Sequence, residues 1–172
     1  MVTASLMPRD RIRRIAINGM LCAVAVVGRI ALGALPNIQP VTAIIILMAI
    51  YIGIWDSVVS SVVVVLVTNA YLGFGIWTVY QIIAWAAIGV VSGLLFRKHH
   101  HPLVMLGWAA LCGFLYGAVI SIFSWNAIGT GAAAGYVAYW LSGLLMDGYH
   151  AISNAVFIWF MQPLFEKLVK KI

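Results

Sequence analysis

The sequence from Leu144 to Leu168 reads LLMDGYHAISNAVFIWFMQPLFEKL and is, for most of its length, apolar enough to cross a bilayer. Asp147, His150 and Asn154 stand near its start with spacings of three and four residues, which puts them on one face of a helix. Polar groups that enter hydrocarbon usually face a bundle interior or a water-filled cavity. This stretch therefore predicts a membrane helix whose polar end faces other helices.

The composition extends that prediction to the whole chain. Of the 172 residues, 65% are hydrophobic and 8% are charged, and the mean hydropathy is +1.08. Ordinary globular domains are about 45–50% apolar and about 25% charged. We therefore expect an integral membrane protein in one domain over residues 1–172. At about 20 apolar residues for each span, the length accommodates about six spans and no soluble catalytic domain.

Several functional classes are disfavoured by the sequence. The net charge of +6 does not indicate nucleic-acid binding, because the basic residues stand in short flanks between apolar runs. Cys22 and Cys112 lie in apolar runs without metal-ligand spacing, so we interpret them as buried hydrophobic residues. We find no nucleophile–base pair, metal set or phosphate-binding G-x-x-x-x-G-K-[ST] motif, and predict neither catalysis nor a cofactor.

The region 41–70 decides the number of spans, because it could form one long helix or a hairpin of two short ones. A turn at Gly53–Asp56 places nine of the ten basic residues on one side, as the positive-inside rule favours. That side would be cytosolic and would hold both termini; its basic residues are Arg9, Arg11, Arg13, Arg14, Arg97, Lys98, Lys167, Lys170 and Lys171. The long run from Ile15 to Leu35 has no clean cleavage site, so we expect a first helix rather than a signal peptide.

The predicted fold is thus an all-α integral membrane protein, a six-transmembrane-helix bundle with cytosolic N- and C-termini. Its helices are expected over residues 12–34, 41–54, 56–71, 76–96, 103–123 and 147–170, with a possible outer helix over 135–146.

Arg29 and Asp147 are the two full charges that this topology leaves in the outer half of the bundle. A charge in lipid is costly, and pairing reduces the cost. We expect the two to pair or to hold a polar ligand jointly; the alternative is that Arg29 reaches the outer headgroups. Asp147, His150 and Asn154 would line a binding cavity, form a structural hydrogen-bond network between helices, or relay protons.

Aromatic and amide side chains also gather at the predicted outer end. They are typical of an interfacial aromatic belt, and equally of a pocket for a flat or amide-bearing ligand. The candidate binding residues are Arg29, Asn37, Gln39, Pro40, Thr42, Trp77, Tyr80, Gln81, Trp125, Tyr139, Asp147, His150 and Asn154.

Gly19 and Ala23 form a small-x-x-x-small step on the first helix. Such a step lets another helix backbone approach closely. The neighbour would be either a partner subunit or another helix of the same bundle.

Two segments resemble a known family. One is Arg29 with the loop LPNIQPVT at 35–42, and the other is GLLMDGYH at 143–150 with Asn154, a G-x-x-x-D-x-x-H-x-x-x-N pattern. Both resemble the substrate-specific S components of energy-coupling factor (ECF) vitamin transporters, and the second is most similar to the cobalamin branch.

The resemblance implies a multi-pass protein of the bacterial cell membrane that captures a vitamin at its outer face. It implies an ABC-type importer in which a transmembrane coupling subunit and two cytosolic ATPase subunits are partners, with Gly19 and Ala23 on the docking face. Cobalamin or a related corrinoid is the first expectation for the ligand, and pantothenate or riboflavin are alternatives. Other hypotheses are a stand-alone carrier or channel that uses Asp147 and His150, and a structural subunit without a ligand.

Overall fold

The structure, a computed structural model, describes residues 8–98, 101–128 and 133–169, and within these ranges it contains six α-helices and no strand. The predicted all-α class is confirmed. Three of the basic residues used to predict the cytosolic side lie outside the described part, namely Lys170, Lys171 and the side chain of Arg9. The helices are α1 (Pro8–Ala31), α2 (Val41–Tyr51), α3 (Ile54–Leu72), α4 (Trp77–Phe96), α5 (Pro102–Ile128) and α6 (Ala133–Val169).

The helix α2 forms the centre of the bundle. It contacts each of the other five helices, and every residue from Val41 to Ile50 is buried. All of these residues except Thr42 are apolar, as expected for a helix that is surrounded on all sides. At 11 residues, α2 is about 16 Å long, roughly half of a hydrocarbon core of about 30 Å. Its neighbours, rather than lipid, cover it.

In the described part of the chain, four helices are long and apolar enough to cross a membrane by length and composition, namely α1, α3, α4 and α5. The chain therefore has the character of a membrane protein, as predicted. The helix α6 has 37 residues and would be about 55 Å long, which exceeds the hydrocarbon thickness. The count of six spans and the cytosolic position of the termini stay predictions.

Residues 41–72 form two helices with a tight turn between them. The N–H groups of Ile52 and Gly53 both donate to the carbonyl of Met48 at 2.9 Å, which ends α2, and α3 begins at Ile54. An added Cβ on Gly53 would lie 2.7 Å from the carboxylate of Asp56, so only glycine fits there without a shift. The predicted hairpin of two helices is therefore present, but its turn lies at residues 52–53, and the residues from Ile54 to Asp56, which we placed in the turn, belong to α3.

The last helix begins earlier than the sequence predicted. We expected helix 6 to start at Asp147, with a separate outer helix over 135–146, but α6 is continuous from Ala133 to Val169. We had taken the polar residues at its start as a boundary. They are instead buried in the middle of the helix, where packing against α5 and α2 rather than solvent surrounds them. The helix α5 also extends to Ile128, beyond the predicted end at 123.

The helix α1 lies at the edge of the bundle. Its backbone packs against α2 and α3 and does not come close to α4, α5 or α6 in the described ranges. The loop after α1 crosses to α6 instead: the Asn37 side chain donates to the Met146 carbonyl at 3.2 Å, and the Gln39 N–H donates to the Ser153 hydroxyl at 3.1 Å. This loop closes one end of the bundle.

An ion pair holds α1 to α3 at the opposite end. Arg14 Nε donates to Asp56 Oδ1 at 3.1 Å, and Arg14 Nη2 contacts Asp56 Oδ2. Asn18 Nδ2 donates to the same carboxylate at 2.6 Å. This pair was not predicted, because the two residues stand 42 positions apart and nothing local in the sequence links them.

Candidate functional site

A cavity of about 210 Å³ lies where the α1–α2 loop meets the ends of α1 and α3 and the facing sides of α4 and α5. Four of the predicted binding residues line it: Arg29, Asn37, Gln39 and Gln81. The other lining residues are Leu32, Gly33, Leu35, Ile38, Leu72 and Tyr116. The cavity therefore combines one cation, three amides and a phenol with apolar walls.

Among the residues that the structure describes, Arg29 is the only charged side chain that lines this cavity. Its residue is 9% exposed, and its Nη1 donates to the Thr68 hydroxyl at 2.6 Å. That hydroxyl in turn donates to the Val64 carbonyl at 2.7 Å, so it is free to accept from Arg29. The guanidinium carbon lies 5.0 Å from the centre of the Trp85 ring, within the range of a cation–π interaction.

The predicted pairing of Arg29 with Asp147 is wrong. In the described part of the chain the ion pair is Arg14–Asp56, and no acidic side chain pairs with Arg29. Asp147 is buried, accepts a hydrogen bond from Trp140 Nε1 at 3.2 Å, and does not line the cavity. Its carboxylate packs on Gly117 of α5, so closely that a Cβ there would overlap it. Rotation of α6 about its axis, which residue spacing alone does not fix, directs Asp147 toward α5.

Thr42 lies between two larger side chains under the floor of the cavity. Its hydroxyl accepts a hydrogen bond from Trp85 Nε1 at 2.9 Å and shares a second one with His150 Nε2 at 2.8 Å. The Tyr116 ring packs against both, with its centre 4.8 Å from that of Trp85 and 5.0 Å from that of His150. The network thus supports Trp85 beneath Arg29 and Tyr116 in the cavity wall.

His150 and Asn154 serve packing between helices in this structure. Asn154 Nδ2 donates to the Ala109 carbonyl of α5 at 3.2 Å. His150 Nδ1 and Asn154 Oδ1 have no hydrogen-bond partner among the residues described. Neither residue lines the cavity. Of the alternatives weighed for this cluster, the interhelical hydrogen-bond network fits His150, which bonds to α2, and Asn154, which bonds to α5. The hydrogen bond of Asp147 with Trp140 lies within α6.

The Gln81 amide is held in place from one side. Asn69 Nδ2 donates to Gln81 Oε1 at 2.9 Å and to the Thr78 hydroxyl at 2.9 Å. Gln81 also forms a side-chain hydrogen bond with Tyr116, so these two polar residues of the cavity wall hold each other in place. Asn37 has a φ of 54°, a left-handed conformation in which asparagine is enriched, and the turn there carries the loop back over the cavity.

The predicted aromatic and proline residues lie elsewhere. Tyr80 stacks on Phe123 with ring centres 3.4 Å apart, Trp125 packs on Tyr139 at 5.9 Å, and Trp77 is exposed. None of these lines the cavity. Pro40 is buried against Gly28 of α1, where any side chain would overlap its ring.

Some residues that line the cavity were not predicted, because the sequence carries no strong signal for them. Leu32 and Gly33 follow Arg29 by three and four positions, so helical spacing could have placed them on its face. Tyr116 could have been suspected as a lone phenol within an apolar run, since a buried tyrosine hydroxyl usually needs a polar partner. The apolar residues Leu35, Ile38 and Leu72 have no distinguishing signal.

A second concave surface runs between α1 and α3 on the outside of the bundle. It encloses about 560 Å³, is mainly apolar, and is lined by both predicted docking residues, Gly19 and Ala23. Both are exposed. Opposite them stand residues of α3, namely Trp55, Val59, Val63 and Val67. We call this surface the α1–α3 groove.

No family model matches the chain, and neither a curated protein nor a solved structure matches it. The resemblance to S components therefore depends on the two sequence segments alone. The described residues contain no group of three or more His, Cys, Asp or Glu that could hold a metal ion.

Proposed function

We propose that this protein is the substrate-capturing S component of an ECF-type vitamin importer. The observation that carries the proposal is the cavity at the Arg29 end, which is walled by the loop that resembles the S-component loop. A buried cation, fixed amides and apolar walls are the elements of a small-molecule site. The ligand would enter from the outer face and would be released only with the help of partner subunits.

The size of the cavity bears on the choice of vitamin. About 210 Å³ lies below the 300–1,000 Å³ or so of drug-sized sites, and a corrinoid is several times larger. The geometry therefore favours a small ligand, such as pantothenate among the alternatives, over cobalamin. A corrinoid would require the α1–α2 loop to leave α6 and the cavity to open widely.

The α1–α3 groove supports the second half of the proposal. A membrane-exposed groove with small residues at its floor suits close approach by a helix of another subunit. We assign this groove to the transmembrane coupling subunit, which would connect the chain to two cytosolic ATPases. The chain itself would hydrolyse nothing.

The alternative of a stand-alone carrier receives less support. It would use Asp147 and His150 as exchanging groups, yet both are buried and neither lines the cavity. It also predicts uptake by the chain alone, whereas an S component binds its ligand alone and requires partners for uptake.

The test of capture is a thermal-shift screen of the purified chain in detergent, followed by calorimetry. The panel would contain pantothenate, biotin, nicotinate, lipoate, riboflavin, thiamine, folate and cobalamin. We expect one vitamin to raise the unfolding temperature in a saturable way, because a ligand that binds only the folded state stabilises it. Absence of any stabilisation across the panel would refute capture.

The groove is tested by variants of its floor. Gly19→Leu and Ala23→Leu should abolish copurification with a coexpressed coupling subunit, because the added side chains fill the groove. Ligand binding should be unchanged, since Gly19 is ten residues from Arg29 or about 15 Å along the helix. Met20→Leu is the matched control, as Met20 is exposed on the same helix but does not line the groove. Normal copurification of both groove variants would contradict this assignment.

A further inference from the structure

Arg29 is a buried cation without a counter-charge. The chain has four acidic residues, and all of them lie in the described ranges. Asp56 pairs with Arg14, Asp147 accepts from Trp140, and Glu166 accepts from Tyr51. None of the four, Asp10 included, pairs with Arg29.

The guanidinium also has hydrogen-bond donors to spare. A guanidinium carries five N–H donors, and the described contacts use one of them, to the Thr68 hydroxyl. The rest of the group faces the Trp85 ring and the cavity. Burying a cation is costly unless an anion and hydrogen bonds compensate, so this environment is incomplete without an acceptor of negative charge.

The orientation of the guanidinium is fixed in advance. Thr68 holds one nitrogen, Trp85 supports one face, and Trp85 is itself anchored through its indole N–H to Thr42. Thr42 is completely buried and also bonded to His150. A planar fork that is held in this way suits two parallel hydrogen bonds to one carboxylate.

The rest of the cavity limits the ligand further. The cavity of about 210 Å³ is smaller than the usual site for a drug-sized molecule, which favours a small ligand. Because the described part of the chain places no second cation in the cavity wall, a polyanion would remain uncompensated. Leu32, Leu35 and Leu72 give the cavity apolar walls, to which Gln81 and Tyr116 add an amide and a phenol.

We propose that the transported molecule is a small monocarboxylic acid whose carboxylate is bound by Arg29. This inference depends on the proposed capture function and narrows it to one class of substrate. Arg29 is then the residue that determines specificity, and an uncharged analogue of the same molecule is rejected because it leaves the guanidinium without an anion.

The test compares each acid with its uncharged counterpart on the unaltered protein. The pairs are pantothenate and pantothenol, biotin and biotinamide, nicotinate and nicotinamide, and lipoate and lipoamide, measured by calorimetry. We expect one acid to bind, and its counterpart to bind at least about thirty-fold more weakly, as for removal of one partner of a buried charge pair.

Arg29 variants separate recognition from folding. In Arg29→Gln the preference for the acid over its counterpart should collapse to within a few-fold, while affinity for the counterpart stays as it was. Arg29→Lys should retain part of the preference, because it keeps the charge but loses the planar fork. If the glutamine variant does not fold, the comparison of the acid with its uncharged counterpart on the unaltered protein still decides whether the cavity recognises a carboxylate.

The outcomes distinguish the two proposals. Binding of riboflavin, thiamine or cobalamin with no acid bound would overturn the carboxylate inference and leave the capture function standing. Equal affinity for an acid and its uncharged counterpart would do the same. Stabilisation in nanodiscs by phosphatidylglycerol, with no soluble acid bound, would assign the cavity to a lipid headgroup and overturn the inference. No binding by any member of either panel would overturn both proposals.

Discussion

Thr42 is a small buried residue whose hydroxyl group forms hydrogen bonds with two larger side chains. Its hydroxyl bonds both the Trp85 indole and the His150 ring, and all three side chains are fully buried. Buried polar groups that lose their only partner bear the full cost of desolvation. The indole of Trp85 and the ring of His150 therefore both depend on this one hydroxyl group.

Replacing Thr42 with valine should destabilise the protein by about 1–3 kcal/mol, because Trp85 and His150 lose that partner while the shape is kept. The measurement is the free energy of unfolding in detergent. Thr42→Ser is the control, since it retains the hydroxyl and removes only a methyl group, worth about 0.8 kcal/mol. If the valine variant is as stable as the serine variant, the hydrogen bonds contribute little.

Among single residues, the sequence identified Arg29 correctly as a cavity residue but assigned it the wrong neighbour. Its isolation in an apolar helix marked it, because a lone charge there usually has a function. Its partners, Thr68 and Trp85, are 39 and more positions away. Which distant residue meets Arg29 depends on how the helices rotate against each other, and residue spacing does not encode that rotation.

At the level of elements, α5 and α6 pack with their backbones close together. A Cβ on Gly113 would lie 2.7 Å from Cα of Ala151, and one on Gly117 would overlap the Asp147 carboxylate. Small residues at a helix interface allow this approach, which replaces the hydrophobic driving force that is missing in lipid. The pair thereby keeps Asp147 enclosed by protein.

Gly113→Ala should force the two helices apart and destabilise the protein by about 1–3 kcal/mol, as overpacking does. Gly107→Ala is the control on the same helix, because a Cβ there meets nothing within 4 Å. It should be neutral or stabilising by up to about 1 kcal/mol from helix propensity. Thermal unfolding of both variants in one detergent measures the difference, and equal melting temperatures would argue against close packing at Gly113.

The sequence predicted some helix boundaries and misplaced others for a physical reason. The break between α2 and α3 followed from the distribution of basic residues, together with Gly53 in the turn. The start of α6 was misplaced because Asp147 was read as a helix end. A polar residue ends a helix only when its side chain competes for the backbone, whereas the Asp147 carboxylate is satisfied by a Trp140 side chain.

At the scale of the whole molecule, the two ends of the bundle differ in their chemistry. One end carries the cavity, which is lined in part by Leu72, the last residue of α3. The α3–α4 turn follows Leu72 directly. The other end carries the Arg14–Asp56 pair. The helix α4 also ends there, because Gly93, near its last residue, lies against Ile54 at the start of α3, so closely that a Cβ would overlap it. By the positive-inside rule the second end would be cytosolic.

Single cysteines test this orientation. Cys22 and Cys112 are free and buried, so a background with both changed to alanine should retain the fold. In that background Phe74→Cys, at an exposed position beside the cavity, should react in intact cells with a maleimide that cannot cross the membrane. Lys98→Cys, also exposed, should react only after permeabilisation. The reverse pattern would mean that the cavity faces the cytosol.

The architecture was more predictable than the cavity. Apolar run lengths and basic flanks are properties of single segments, and they are enough to predict an all-helical bundle. The cavity depends on where a loop closes: the contacts of Asn37 with Met146 and of Gln39 with Ser153 each span more than a hundred positions. Its size, and thus the argument against a corrinoid, could not be read from the sequence.

The burial of α2 on every side has a consequence for biosynthesis. Four of the helices that cover α2, namely α3, α4, α5 and α6, are translated after it. Until the ribosome has made them, a segment of about 16 Å has neither its protein neighbours nor the length to settle in lipid by itself. Nascent chains that stop before α6 should therefore be recognised as incomplete by membrane quality control and degraded, whereas the finished chain escapes.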